Sequence, residues 1–238
     1  MQGNDQQAYD RGTTIFSPDG RLYQVEYARE AVTQGDPVVG VRGADATVLA
    51  AHAARRSPLV EARSVEKLHR VDEGVAVGSA GHAADARRLV DILRRTAQRE
   101  RLRYGEAATV ASLSTAVGDH VQENTQSGGT RPYGTALLMG GYDDEPRLFE
   151  MDPSGATREW QAGAVGRGDG EAIEHLERHY GPDLAAGDAL GLALDALGAA
   201  VEESGGGGPD PDDVDAVTID GGGYAAVPDD RIEDANAS

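Results

Sequence analysis

The sequence predicts an α/β protein in which two packed β-sheets are flanked by helices. After a first helical pattern, short apolar runs typical of strands are followed by a pair of long helical patterns. A second group of strand-like runs, a second pair of helical patterns and a closing pair of strands complete the chain, and this order indicates layered sheets with helices outside. The 238 residues suffice for one domain with a sizeable core, and no Pro- or Ser-rich linker divides them.

The strands are predicted from short apolar runs bounded by turn residues. Turn sequences rich in Asp, Gly and Pro lie at 43–45, 72–74, 143–146 and 152–155. The predicted strands span 38–42, 47–53, 67–71, 75–79, 136–140, 147–151, 159–165, 214–219 and 224–227.

The helices are predicted from apolar residues at helical spacing. In the first helix, Leu22, Val25, Ala28 and Val32 share one face, which we expect to be buried. A run of glycines followed by proline ends the last helix. The predicted helices span 21–34, 82–103, 108–125, 169–180 and 186–203.

The charge balance is strongly acidic. The chain has 41 Asp and Glu against 22 Lys and Arg, a formal net charge of −19, and only one of the basic residues is Lys. Such a chain repels nucleic-acid phosphates, so we expect no nucleic-acid partner. The dispersed acidic charge is typical of adaptation to molar salt, where screening shortens to about 3 Å and self-repulsion fades. A GC-rich genome would explain the Arg bias but not the net charge.

No segment indicates export or membrane insertion. The chain has no basic start followed by an apolar run, and no apolar stretch approaches the ~18 residues of a membrane-spanning helix. It has no cysteine, which excludes disulfides and thiolate chemistry. We therefore expect a cytoplasmic protein without a membrane partner.

The two ends of the chain differ from its middle. Residues 1–12 carry almost no apolar side chain, and we expect a flexible tail unless a partner orders it. A strong turn at 17–20 follows, with Pro second and Gly last. The acidic segment 228–238 is predicted to be disordered, so the main domain spans 13–227.

One specific string joins the polar tail, the turn and the first helix. It consists of Tyr9-Asp10-Arg11, Phe16-Ser17-Pro18-Asp19-Gly20-Arg21 and Gln24-Val25-Glu26-Tyr27-Ala28. This order resembles the N-terminal signature of proteasome α-type subunits. Further strings look like landmarks of that family in its order and spacing, so the resemblance covers about residues 9–220. They are Arg56-Ser57, Ser64-Val65-Glu66-Lys67-Leu68, residues 80–87, Asn124-Thr125-Gln126, residues 128–134 and Pro146-Arg147-Leu148-Phe149.

The resemblance implies a four-layer α/β/β/α sandwich, the fold of N-terminal-nucleophile hydrolases, preceded by an α-subunit helix. It implies a non-catalytic subunit of an archaeal-type proteasome core particle, a threonine-protease complex. Its partners would be other α subunits in a homo- or heteromeric heptameric ring, the β subunits, a regulatory AAA ATPase and unfolded proteins in transit. Neither a cofactor nor a metal is expected.

The resemblance also assigns a gate at the entrance of the ring. The gate residues would be Tyr9, Asp10, Arg11, Pro18 and Tyr27. In the open form, Tyr9 and Asp10 would cluster with Pro18 and Tyr27.

A pore annulus beneath the gate is implied for Ser127, Gly128, Gly129 and Thr130. The family often has a bulkier residue where this chain has Ser127, which leaves the width and polarity of the annulus open.

Lys67 is the only lysine of the chain, and a compact ammonium beside a strand end suits the capture of one carboxylate. The resemblance implies that Lys67 lies in a pocket between neighbouring α subunits and binds the C-terminal carboxylate of the ATPase, with the backbone near Gly81 as another wall. A solvated surface lysine is the alternative. His82 would make this pocket pH-sensitive, or it faces solvent in the first helical turn.

A catalytic alternative exists because β-type subunits and autonomous hydrolases share the fold. They need a Thr at a processed N-terminus, whose freed amine acts as the base. Asp36 falls where that threonine would lie, Pro37 follows it, and a helix precedes it. The sequence therefore predicts no nucleophile at this position.

Four other motifs are weaker. Residues 77–81 resemble a nucleophile elbow but lack its first glycine. His175 and His179, with Glu174 nearby, could hold a metal ion, although an exposed polar face is the simpler interpretation. Residues 166–170 resemble a phosphate loop without its lysine, and the aspartates of 210–215 do not match the spacing of a calcium loop.

Overall fold

Two five-stranded antiparallel sheets form the centre of the protein. The computed structural model describes residues 23–55, 57, 59–61, 64–126, 131–203 and 208–236. The first sheet has the order β10–β9–β2–β1–β8, with β1 Val38–Arg42, β2 Ala46–His52, β8 Ala162–Val165, β9 Val214–Asp220 and β10 Gly223–Ala226. The second has the order β3–β4–β5–β6–β7, with β3 Leu68–Asp72, β4 Val75–Gly81, β5 Thr135–Tyr142, β6 Pro146–Met151 and β7 Thr157–Glu159.

Helices cover the outer face of each sheet. The described helices are α1 Tyr23–Thr33, α2 Ala83–Tyr104, α3 Val110–Gln126, α4 Asp169–His179, α5 Ala186–Glu203 and α6 Asp229–Asn236, with a 3₁₀ turn at Pro211–Asp213. Apolar side chains of α2 and α3 form one core with the second sheet, and those of α4 and α5 form another with the first sheet. A third core fills the space between the sheets. The predicted four-layer α/β/β/α sandwich is confirmed.

The central strands are buried on both faces, which explains why their apolar runs are nearly continuous. Along β4, Val75 and Val77 pack in the core formed with α2 and α3. Ala76 and Ala80 instead belong to the core between the sheets. Because side chains alternate along a strand, each strand contributes to two cores at once.

Helix α1 buries the face that the sequence predicted. Val25, Ala28 and Val32 are buried, whereas Leu22 lies outside the described residues. The helix contacts β4 and β5 of the second sheet. Arg29, which lies next to this face, donates to Asp152 Oδ2 at 3.0 Å and ties α1 to the turn after β6.

The prediction of one strand over 159–165 is wrong. The structure divides this segment between β7 of the second sheet and β8 of the first. Trp160 N donates to Leu148 O in the second sheet at 2.9 Å, and Gln161 O accepts from Arg42 N in the first at 2.8 Å. The chain therefore crosses between the two sheets at residues 160–161.

The prediction of disorder over 228–238 is also wrong for most of that segment. Residues 229–236 form helix α6, and Ile232 is only 2% exposed because it packs in the core of the first sheet. The backbone N–H groups of Arg231 and Ile232 both bond to Pro228 O. Composition alone missed this helix because one isoleucine anchors an otherwise polar segment.

Three glycines, Gly35, Gly81 and Gly166, bring backbone segments into direct contact at one end of the sheets, and we call them the glycine seam. A Cβ on Gly35 would overlap the backbone nitrogen of Gly81, and one on Gly81 would overlap the carbonyl oxygen of Gly134. A Cβ on Gly166 would lie 2.8 Å from Pro37 Cα. Gly81 and Gly166 also have φ of +109° and +114°, values that favour glycine.

We predict that Gly81→Ala lowers the free energy of unfolding by at least about 2 kcal/mol, because it adds backbone strain and a steric clash. Gly191→Ala is the matched control, since Gly191 lies within α5 and a Cβ added there would meet no atom within 4 Å. The control should raise stability by about 0.5–1 kcal/mol. Thermal unfolding at one fixed salt concentration measures both, and equal midpoints for the two variants would contradict the prediction.

Candidate functional site

Lys67 lies directly before β3 and points into a pocket rather than into solvent. Its ammonium Nζ donates to the backbone carbonyl of Asp36 at 3.0 Å. Burial lowers the pKa of Lys67 from its ordinary value to about 8, although the carboxylate of Asp36 raises it. An ammonium has three N–H bonds, and the contact with Asp36 uses one of them. Lys67 can therefore bind a further acceptor.

The pocket around Lys67 has a volume of about 320 Å³. Gly81 at the end of β4 lines it, so the two residues predicted for one pocket do lie together. The described lining residues are Gly35, Asp36, Ala54, Val60, Ser64, Val65, Glu66, Lys67, His69, Ser79, Gly81, Ala83, Ala86 and Arg87. A pocket with a cation and apolar walls suits the end of a peptide.

Among the described lining residues, Lys67 is the positively charged side chain that lies inside the pocket. His69 is buried, and its Nδ1 lies 3.4 Å from Glu66 Oε1. Burial lowers the pKa of His69 despite this carboxylate, which favours the neutral imidazole near pH 7. Arg87, on α2, is exposed and lies at the edge of the pocket. An incoming carboxylate would therefore meet the Lys67 ammonium, with Asp36 and Glu66 as opposing charges.

The position where a catalytic threonine would lie is internal to the chain. Residues 34–37 connect helix α1 to β1, and Asp36 lies in this connection. Arg167 fixes this segment, because its backbone N–H donates to Gly35 O at 2.8 Å and its guanidinium donates to Gln34 O at 2.9 Å. Residue 36 is an aspartate, so its side chain offers a carboxylate at this point and not the hydroxyl of a threonine.

Of the residues predicted for the gate, Tyr27 is the one among the described residues. It lies on α1, and 67% of its surface is exposed. It lines a groove of about 230 Å³ together with His82, Arg131 and Gly134. The other residues predicted for the gate lie outside the described residues, and so do those predicted for the annulus: Tyr9, Asp10, Arg11 and Pro18, and Ser127, Gly128, Gly129 and Thr130.

His82 is exposed and directly precedes α2, as one of its two interpretations expected. It lines the groove beside Tyr27 and not the pocket of Lys67. Its ring covers Gly134, where a Cβ would come within 2.6 Å of the imidazole. His82 therefore gives the Lys67 pocket no titratable wall.

Sequence reasoning missed a buried carboxylate that holds residues 131–134. Asp85 is 6% exposed and accepts two hydrogen bonds from the Arg131 guanidinium, at 2.6 and 2.7 Å, and one from Gly134 N at 2.9 Å. Burial by itself would raise the pKa of Asp85, but these bonds outweigh it and hold the pKa below its ordinary value. Both residues lie in recognised strings, yet nothing in the sequence pairs residues 46 positions apart.

The structure shows where each of the weaker motifs lies. Ser79 is buried within β4 and does not lie at a sharp turn, so residues 77–81 form no nucleophile elbow. Gly166 and Gly168 pack against backbone, which fills the space that a phosphate would need. His175 and His179 lie side by side on α4.

The aspartates near 210 form an ordinary surface turn. Asp210 Oδ1 accepts from Asp212 N at 3.1 Å, and Arg55 pairs with Asp213 at 2.7 Å. Within the described ranges, no cluster of three or more His, Cys, Asp or Glu side chains could hold a metal ion. No helix in the described part of the chain is both long enough and apolar enough to cross a membrane.

Comparison with known proteins gives one consistent result. Residues 9–31 match the family model for the N-terminal signature of A-type proteasome subunits, and residues 32–212 match the family model for proteasome subunits in general. The "Proteasome subunit alpha 2" of Haloferax volcanii is 52% identical over 233 residues, which are 98% of this chain and 92% of that protein.

Two further relatives come from other haloarchaea. The "Proteasome subunit alpha 2" of Haloarcula marismortui is 55% identical over 223 residues, covering 92% of this chain and 89% of the relative. The "Proteasome subunit alpha" of Halobacterium salinarum is 54% identical over 206 residues, covering 86% and 81%. With the matched signature, the sandwich fold and the helix α1, these likenesses show that the chain belongs to the proteasome α-subunit family.

Proposed function

We propose that the chain is a non-catalytic α subunit that forms the outer heptameric rings of a cytoplasmic proteasome core particle, gates substrate entry and docks a regulatory AAA ATPase. The pocket that joins Lys67 to Gly81 is the observation that carries this proposal. It offers one buried cation, a backbone wall and room for a few side chains, which fits a peptide C-terminus.

Docking depends on the Lys67 ammonium in this proposal. A terminal carboxylate entering the pocket gains a charge-assisted hydrogen bond from Nζ, and partial burial strengthens that bond. The Asp36 carbonyl keeps the side chain oriented into the pocket before the peptide arrives, so little side-chain entropy is lost on binding. Several pockets around a ring would act together, which makes modest single contacts sufficient.

In this proposal, gating depends on a rigid base beneath the tail of residues 1–12. Buried apolar residues and the Arg29–Asp152 ion pair fix α1 to the second sheet. Tyr27 projects from this fixed helix with most of its surface accessible. It can therefore receive the tail residues Tyr9 and Asp10 in the open form.

In this proposal, the subunit is non-catalytic because of the residues at positions 36 and 37. A catalytic subunit would need both a threonine side chain and a free α-amine at this point. Asp36 and Pro37 supply neither. The particle's proteolysis would then come from its β subunits.

We predict that Lys67→Ala leaves ring assembly intact but weakens docking of an ATPase C-terminal peptide by about 1.5–3 kcal/mol, the value of one charge-assisted bond. Lys67→Glu should weaken it more, since the site then repels the carboxylate, and Lys67→Arg should restore only part because a guanidinium fork replaces a point charge. Peptide binding and ATPase-stimulated degradation, both at one fixed high salt concentration, give the comparison. Full stimulation of Lys67→Glu particles would refute the docking assignment.

The same pocket gives this prediction a pH dependence. The carboxylate needs the protonated amine, and the lowered pKa of Lys67, about 8, means that the free pocket loses its charge as the pH rises through that value. Peptide affinity should therefore fall above pH 8, whereas an ordinary lysine, with a pKa of 10.5, would keep its charge well beyond that point. Lys67→Arg is the control, because its guanidinium stays charged and its affinity should stay level over this range.

We predict that deleting residues 2–12 speeds entry of short peptides and unfolded chains in the absence of ATPase, because the polar tail alone would close the pore. Residues 13 onward keep the turn and α1. A fluorogenic peptide assay on assembled particles measures the rate, with the free β-subunit activity as the reference. Rates equal to those of the intact particle would remove the tail from the gate.

We predict that the isolated chain forms rings yet cleaves no peptide, whereas assembly with a β subunit yields activity that a Thr-directed inhibitor abolishes. Native mass spectrometry reports the ring, and peptide turnover reports the activity. Asp36→Ala in the assembled particle is the matched control and should leave turnover unchanged. Inhibitor-sensitive turnover by protein free of β subunits would contradict the proposal.

A further inference from the structure

Two histidines form a pair on the solvent side of α4, far along the chain from the pocket and the gate. His175 is partly buried and His179 is exposed, and they are separated by one helical turn. We propose that the His175–His179 pair binds one divalent transition-metal ion through imidazole nitrogens, with water completing its coordination. This site is independent of the function proposed above.

The geometry of the pair favours chelation. Residues at i and i+4 of a helix share a face, and the centroids of these two rings are 4.3 Å apart with 32° between their planes. This separation allows both rings to reach one ion after small rotations about the ring torsions. Helical His pairs at this spacing are a recurrent arrangement for zinc.

A hydrogen bond sets the tautomer of His179. Its Nδ1 lies 2.8 Å from the backbone oxygen of His175. A carbonyl oxygen only accepts hydrogen bonds, so Nδ1 must be the donor. A neutral ring that donates through Nδ1 keeps its lone pair on Nε2, and a bond to a backbone carbonyl is the usual support for a metal-binding histidine. His179 is therefore oriented to offer Nε2 to an ion.

The surroundings keep His175 available as a ligand. His175 is only partly buried, so its ring stays accessible to an ion beside the ring of His179. Arg178, which lies between the two histidines in sequence, pairs with Glu174 at 3.7 Å, so its charge is partly compensated. The net charge of −19 also raises the concentration of cations near the surface.

The chemistry of the donors selects the class of ion. Imidazole nitrogen suits Cu²⁺, Ni²⁺ and Zn²⁺, whereas Mg²⁺ and Ca²⁺ prefer oxygen ligands. Cu²⁺ heads the affinity order of the divalent first-row ions, which makes it the most sensitive probe. Because the described residues offer no cluster of three ligands, the site holds its ion with two protein nitrogens and exchangeable water.

Cu²⁺ alone is titrated into the full-length chain at a fixed salt concentration, in a buffer that does not bind metals, and the bound ion is followed by electron paramagnetic resonance. We expect one ion for each chain, with hyperfine splitting from two nitrogens. His175→Gln and His179→Gln should each reduce the splitting to one nitrogen and weaken binding by about 10²-fold, because the chelate is lost.

His82→Gln is the matched control, since it removes an exposed imidazole that has no histidine beside it in the described structure, and it should leave both readouts unchanged. The double variant His175→Gln with His179→Gln should also keep the thermal midpoint of the unaltered chain. Equal affinity in the double variant would overturn the proposal. Equally tight binding of Mg²⁺ would do so too, since it would point to surface carboxylates instead.

Discussion

Where the glycine seam joins the ends of the two sheets, no side chain fits, so the segment before β1 lies in direct backbone contact with the end of β4 and with the residue after β8. That contact sets the carbonyl of Asp36 in one place. Lys67 reaches this carbonyl from the second sheet, so the orientation of the pocket's cation depends on how the first sheet is positioned. The seam also fixes the end of β4, after which α2 begins. The backbone contact at the glycine seam therefore affects the pocket, the packing of the two sheets and the start of α2.

Buried and half-buried aspartates hold the loops around the two sheets. Asp85 receives Arg131 and Gly134, Asp143 receives Val110 N at the start of α3, and Asp152 receives Arg29. Burial raises the pKa of Asp143 against the bonds from the α3 backbone, whereas at Asp152 the bonds from Ser154 and Arg29 outweigh burial and lower the pKa. A short carboxylate can accept several such bonds at once. In this acidic chain, therefore, some of the negative charge organises loops and does not serve solubility.

The sequence predicted the parts of the structure that depend on local periodicity. Residues 38–42 and 186–203 form their predicted elements because burial on one or both faces imposes a regular apolar pattern. The crossing at 160–161, the Asp85–Arg131 pair and helix α6 escaped prediction. The first two depend on contacts between distant residues, and the third depends on a single buried side chain, Ile232. The sequence named Lys67 and Gly81, and the structure places both in one pocket, while their role in docking stays a prediction.

Lys67 also has a consequence for the reactivity of the protein. It is the only side-chain amine in the sequence, and with a pKa of about 8 roughly half of it is an uncharged nucleophile at that pH. An ordinary lysine, with a pKa of 10.5, is almost wholly protonated under the same conditions. Small acylating or Schiff-base reagents that enter the pocket would thus react with one unusually reactive lysine. Most proteins have many lysines of similar reactivity. Covalent probes could be placed inside this pocket without changing any residue of the chain.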